Sequence, residues 1–333
     1  SAPTKAAAPA TAAPAKEPGK EAAAKLPEGA FQQLIGNCEQ ARRIFASILD
    51  SGTAGPVAAE ANYRMAQCYL RDDAAAEAYA TLKQLLADAP AKDPHRAPAQ
   101  FLLGEAQSML GAYKEAEAAY QAHLNMTAEL QYLTWQRLAA QRQAQGNAAG
   151  AAEAYRQALA KSPDWTNTSA IRRSLADLAL TAGNAKEAVA QYDALRGDTT
   201  KGAFAAEMQY LAGNALAQTA NLIKATGVVT PTYPPEAITR WQAAVDADPT
   251  SKYAHSSIVA LLDAGATVDE YERGVANYSN GVYELAIAAF DRLRAAEPEG
   301  RGGLAWYYAG LSYLGLGQLD KGLNELNIFT SRW

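Results

Sequence analysis

A set of small and aromatic residues recurs along this chain about every 35 residues, and that recurrence restricts the fold more than any other feature. The stretch Trp135, Leu138-Ala139, Gly146, Ala151, Tyr155, Ala158 and Pro163 shows the pattern in full. It returns as Leu103-Gly104, Gly111, Tyr113, Ala116 and Tyr120, and as Leu175-Ala176, Gly183, Ala188 and Tyr192. Two later copies run through Gly274, Gly281, Tyr283, Ala286, Phe290 and Pro298, then Trp306, Gly310, Tyr313, Gly317 and Leu319. A weaker one holds Met65-Ala66, Tyr69, Ala78, Leu82 and Pro90. A fixed period of this length marks a stack of units, each too small to bury its own apolar face alone.

Alanine supplies 78 of the 333 residues, which favours helix and close approach of helices over strand. Each unit reads as two antiparallel amphipathic helices. A small residue on the first lets the second come near, an aromatic from the second fills the gap, and Gly takes the positive φ of the turn. These spacings resemble the tetratricopeptide repeat. The expected fold is therefore all-α: a tetratricopeptide-like α-solenoid, a right-handed superhelix of antiparallel helix pairs with the first helices lining its inner face. Residues 1–25, rich in Ala, Pro and Lys, read as a flexible or docked tail, and residues 26–333 as the solenoid. Phe31 to Leu49 reads as one lone second-type helix that starts the stack. An insertion loop is expected at about 220–236, because Pro231, Pro234 and Pro235 exclude helix there. Ala151 and Ala188 should mark the closest approaches of paired helices.

Little in the sequence suggests chemistry. A net charge of -5 and pI near 5.4 give no basic footprint for nucleic acid, and no apolar run reaches the length of a membrane span. His95, His123 and His255 lie in separate repeats without ligands at metal spacing, and neither a phosphate-cradling loop nor a nucleophile elbow occurs. No catalytic, cofactor or metal residue is assigned. The default binding surface is the inner groove, to which the repeat register assigns Tyr63, Gln67, Phe101, Glu105, Gln136, Arg173 and Asp177. That mixture suits an extended peptide or a glycan strand. Arg173 is the one basic residue the register turns inward, which argues against an adaptor built on a basic clamp.

Cys38 and Cys68 fall at neighbouring ends of helices expected to pack antiparallel. The sequence leaves two states open: a disulfide, which suits an exported protein, or two buried thiols. Towards the C-terminus, Ile238, Arg240-Trp241, Ala244, Pro249 and Tyr253 are followed by Tyr271, Arg273-Gly274, Tyr278, Gly281 and Tyr283, then by Trp306-Tyr307-Tyr308 and Gly310. This series resembles the helical superhelix region of soluble lytic murein transglycosylases. The catalytic domain of that family carries a Glu-Ser pair, which occurs nowhere in this sequence. The resemblance thus implies an accessory module at most. The expectation is a non-catalytic scaffold that is exported to the periplasm, cell envelope or extracellular space and binds a protein partner or a peptidoglycan strand. A lipid anchor upstream of the tail is compatible with this. The alternative is the accessory superhelix of a peptidoglycan lytic transglycosylase whose catalytic domain is absent from this chain, and the alternative location is the cytoplasm.

Overall fold

Alanine-rich amphipathic segments separated by tight turns fold into helix after helix, with no strand among the described residues. The structure, a computed structural model, describes residues 18–163, 166–225 and 232–333. The chain forms two units, one ending at Asp164 and the other starting at Trp165. In the first lie α1 (Pro18–Leu34), α2 (Cys38–Asp50), α3 (Pro56–Arg71), α4 (Ala75–Asp88), α5 (Arg96–Met109), α6 (Tyr113–Met126), α7 (Gln131–Ala144) and α8 (Ala148–Ala160). The second holds α9 (Ser169–Thr181), α10 (Ala185–Arg196), α11 (Ala203–Ala225), α12 (Pro235–Ala247), α13 (Lys252–Asp263), α14 (Glu270–Ser279), α15 (Tyr283–Ala296), α16 (Leu304–Gly315) and α17 (Leu319–Arg332).

Three of the turns inside pairs share one device. Gly146 and Gly183 adopt φ of 76° and 70°, where a side chain would be strained. The asparagine after each caps the next helix, Asn147 accepting from the Gly150 amide and Asn184 from the Glu187 amide. Gly36 and Asn37 do the same ahead of α2. Such caps stabilise a helix start by about 1 kcal/mol.

Packing within every pair except α11 and α12 follows an offset of 16 residues between a small residue on the first helix and a large one on the second. Gly29 faces Phe45, Gly104 faces Tyr120, Gly274 faces Phe290 and Gly310 faces Leu326. A Cβ added at Gly104 would lie 2.6 Å from the Tyr120 ring. Alanine occupies the small position at Ala66, Ala139 and Ala176, all 0% exposed, opposite Leu82, Tyr155 and Tyr192. Phe45, Tyr120 and Phe290 are likewise completely buried, and each contributes about 1.5–3 kcal/mol by leaving water. Ala151 and Ala188 are also 0% exposed, as their register requires.

Three boundaries differ from expectation. Phe31 to Leu49 is not one helix: the chain breaks after Leu34 and restarts at Cys38, so α1 and α2 make a complete pair. Residues 18–25, read above as tail, belong to α1, where Pro18 sits at the start and costs no hydrogen bond; residues 1–17 lie outside the described residues. Of the insertion expected at 220–236, residues 220–225 continue α11 and Pro235 begins α12, while 226–231 lie outside the described residues. One element was not anticipated. α13 packs on α11 and α12 as a first helix would, but the next helix, α14, already opens the following pair with α15.

Candidate functional site: the first-helix face

The seven groove residues of the sequence analysis do not form one free surface. Phe101 is only 9% exposed and packs its ring 5.7 Å from Tyr120 and 5.5 Å from His123. It is a core residue, because α5 turns it towards α6. Glu105 accepts from the Tyr120 hydroxyl at 2.7 Å and from Arg137 Nε at 2.8 Å, so its carboxylate pins α5 to α6 and α7. Burial, with the Glu105 carboxylate beside it, pushes the Tyr120 phenol well above its usual pKa. Gln67 accepts from Gln33 Nε2 at 2.8 Å. Tyr63 is half-buried with His95 5.3 Å from its ring centre, and Gln136 is half-buried on α7. In the second unit Arg173 pairs with Glu207 on α11 at 3.1 Å, and Asp177 is exposed on α9.

A common geometry underlies these contacts. Gln33–Gln67, Glu105–Arg137, Ser108–Gln141 and Arg173–Glu207 all link first helices of adjacent pairs. Polar residues of the face therefore stitch α1 to α3, α5 to α7 and α9 to α11, and only what remains between the stitches can meet a ligand. Exposed pairs of this kind contribute little each, roughly 0–1 kcal/mol; their role is to fix register.

A cluster of polar side chains on this face lies between α1 and α3. A pocket of about 450 Å³ is lined by Ala30, Gln33, Leu34, Cys38, Arg64, Gln67 and Arg71. Arg64 is held by Glu60 at 2.9 Å and by Gln33 at 3.1 Å, and Arg71 bonds the Gly36 carbonyl. Two arginines thus face one pocket on the first helices, which corrects the expectation that Arg173 is alone. Both were hidden by drawing residues 31–49 as a single helix, since α1 then had no place beside α3. Beneath this pocket Cys38 and Cys68 are joined in a disulfide with Cα atoms 5.2 Å apart.

The second unit has a pocket of another character. Tyr210, Asn214, Gln218, Tyr233, Trp241, Val259 and Asp263 help line about 470 Å³ beside α13. Its polar groups are largely engaged: Trp241 Nε1 donates to Asn214 at 3.0 Å and the Tyr233 hydroxyl to Asp263 at 2.5 Å. Among the described residues no group of three or more His, Cys, Asp or Glu is gathered to hold a metal, and no helix is long and apolar enough to cross a membrane.

Comparison with known proteins gives the same architecture. The family model of the tetratricopeptide repeat matches residues 35–94, 138–198 and 271–327, more than half of the chain. None of the curated proteins matches. Among solved structures, the C-terminal part of a repeat-containing protein from Cytophaga hutchinsonii is 13% identical, with a TM-score of 0.53, over 82% of this chain and 95% of that one. The PilF protein of Pseudomonas aeruginosa is 16% identical, with a TM-score of 0.44, over 73% of this chain and 100% of that one. A thermophilic repeat protein from Thermus thermophilus is 22% identical, with a TM-score of 0.37, over 59% and 98%. Likeness at these identities speaks to fold alone.

Proposed function

Because this chain belongs to the tetratricopeptide repeat family, a non-catalytic scaffold that binds proteins, we propose that its first unit holds an extended acidic peptide of a partner on the face of α1 and α3. The observation that carries this reading is the convergence of Arg64 and Arg71 with Gln33 and Gln67 on one pocket. Amide side chains can bond a peptide backbone in both directions, and guanidinium groups pair with carboxylates. Leu34, 84% exposed at the rim, offers an apolar contact for a neighbouring side chain.

The matches above carry nothing towards a transglycosylase, and the face is built of stitches and cations rather than of a desolvated carboxyl pair. A protein partner is thus favoured over a peptidoglycan strand. Export remains part of the proposal, and the disulfide supports it, since such bonds persist in oxidising compartments. Protein isolated without reductant should yield a joined Cys38–Cys68 peptide pair in non-reducing mass spectrometry; two alkylatable thiols would remove this support.

The binding test uses fluorescence anisotropy with two pools of labelled decapeptides, one rich in Asp and Glu and one rich in Lys. The acidic pool should bind, and the Arg64→Ala/Arg71→Ala double variant should weaken it at least tenfold at low salt. Equal binding of both pools, or no change in the double variant, would sink the reading.

A further inference from the structure

Four residues before the small position the repeats vary: Trp135 precedes Ala139 and Trp306 precedes Gly310, while Gln100, Arg172, Gln209 and Glu270 hold the place elsewhere. Trp306 packs against Trp333 at 5.2 Å and under the Arg294 guanidinium at 5.1 Å. Before Ala66 the equivalent residue is Asn62, which lines a cavity of about 200 Å³ between the ends of α2 and α4 and the start of α3.

The lining of this cavity is one-sided in its chemistry. Leu49, Ala58, Ala59 and Leu85 make apolar walls, while Asn62, Gln84, Asp88 and Thr53 provide the polar side chains, the Thr53 hydroxyl being engaged with Ser51. No Lys or Arg reaches it; the nearby Arg96 is engaged with the Leu86 and Ala89 carbonyls. Asn62 is 4% exposed, and its Oδ1 has no hydrogen-bond partner. A buried acceptor without a donor is a standing cost, and native proteins rarely carry one without a reason.

We propose that this cavity takes the lysine side chain of a partner protein. The volume is below the usual range for a whole small-molecule ligand and suits a single side chain. An unbranched methylene stem matches the apolar walls, as lysine stems commonly do. The ammonium head has three donors and no acceptor, and three acceptors are present: Asn62 Oδ1, the Gln84 amide oxygen and the Asp88 carboxylate. A guanidinium would bring five donors, more than the site can satisfy. Asp88 is exposed and makes no ion pair among the described residues, so the incoming charge would be met by a free carboxylate at the mouth. This site is separate from the Arg64 and Arg71 pocket, so either can fail without the other.

The experiment is a titration of the full chain, isotope-labelled for NMR, with Nα-acetyl-lysine-N-methylamide. Parallel titrations use the Nε-acetylated form and the norleucine analogue. Expected are shifts of the Asn62 side-chain amide and of the Ala58 and Ala59 amides with the lysine probe, in the millimolar range, and none with the two uncharged probes. Asp88→Asn, at an exposed position that leaves the fold intact, should weaken the response at least fivefold. Asn62→Trp should fill the cavity, raise the melting temperature and abolish the shifts at Ala58 and Ala59. Equal response to the norleucine probe would reduce the site to an apolar hole and overturn the proposal. So would an unmoved spectrum, or a slowly exchanging water on Asn62 that the lysine probe fails to displace.

Discussion

Two pairs of the second unit solve one packing problem over different lengths of chain. In α14 and α15, Gly274 meets Phe290 16 residues on; in α11 and α12, Gly213 meets Trp241 28 residues on. Both glycines admit an aromatic ring at the same close range, 2.6 Å from a notional Cβ in the longer case. The contact, not the connection, defines the repeat. Lengthening a connection costs only about 0.6 kcal/mol per doubling, far less than a buried ring contributes. Each pair adds a polar tie of its own: the Trp241 indole bonds Asn214 in the longer one, and Arg292 forks onto Glu270 at 2.7 and 2.9 Å in the shorter.

The comparison breaks most readily at the rings. Trp241→Ala and Phe290→Ala should each cost about 3–5 kcal/mol in denaturant unfolding. A loss below about 1 kcal/mol for Trp241→Ala alone would show that the interrupted pair is not a true repeat. A finer probe is the glycine opposite. Gly213→Ala and Gly274→Ala gain helix propensity of about 1 kcal/mol, yet each should be destabilised overall by about 1–3 kcal/mol through overpacking. Net stabilisation at Gly213 would mean that Trp241 can move aside.

The smallest effect expected is on pH dependence, and it has opposite signs at two sites. Burial holds the His123 imidazole, bonded to Thr134 at 3.0 Å, below its usual pKa. Its contribution is present above the unfolded value near 6.5 and is lost as pH falls below it. Burial and the Asp246 charge hold Glu272 above the usual carboxylate pKa; its contribution is complete below the unfolded value and is lost as pH rises through the raised folded value. Hydrogen exchange at pH 7 and 5.5, corrected for intrinsic rates, should show α6 and α7 losing protection on acidification. His123→Gln should remove that loss, and Glu272→Gln should slightly raise protection of α14 at pH 7. Protection of α6 and α7 unchanged by pH in the parent chain would contradict the first sign.

What could be read from the sequence followed from backbone geometry. A small residue and a large one at a set spacing are visible in any alignment of the chain with itself, so the pairs from Ala66 to Gly310 were legible. The pair Gly29 and Phe45 obeys the same spacing, but Pro18 and Pro27 within an Ala-Lys-Glu stretch concealed α1. The site was less legible. Register places Phe101, Glu105 and Gln67 on a first helix but cannot say which partner each meets. Tyr120 and Arg137 reach Glu105 through side-chain length and rotamer, which a period does not encode. Asn62 left no signal, since the position four residues before the small one varies among Gln100, Trp135, Arg172, Glu270 and Trp306.

The Cys38–Cys68 bond joins the second helix of one repeat to the first helix of the next, enclosing 30 residues of separation. Closing a loop of that size disfavours the unfolded chain by about 3–4 kcal/mol. A stack of repeats ordinarily unzips one unit at a time, each opening freeing its neighbour. Here α2 and α3 stay tethered whichever of them opens, so loosening at this point frees less chain than elsewhere. The exposed turn at Ser51, Gly52 and Ala54 lies inside the covalent ring. A protease that cut there would sever the backbone without releasing a fragment, leaving a nicked protein whose two chains stay locked in one fold.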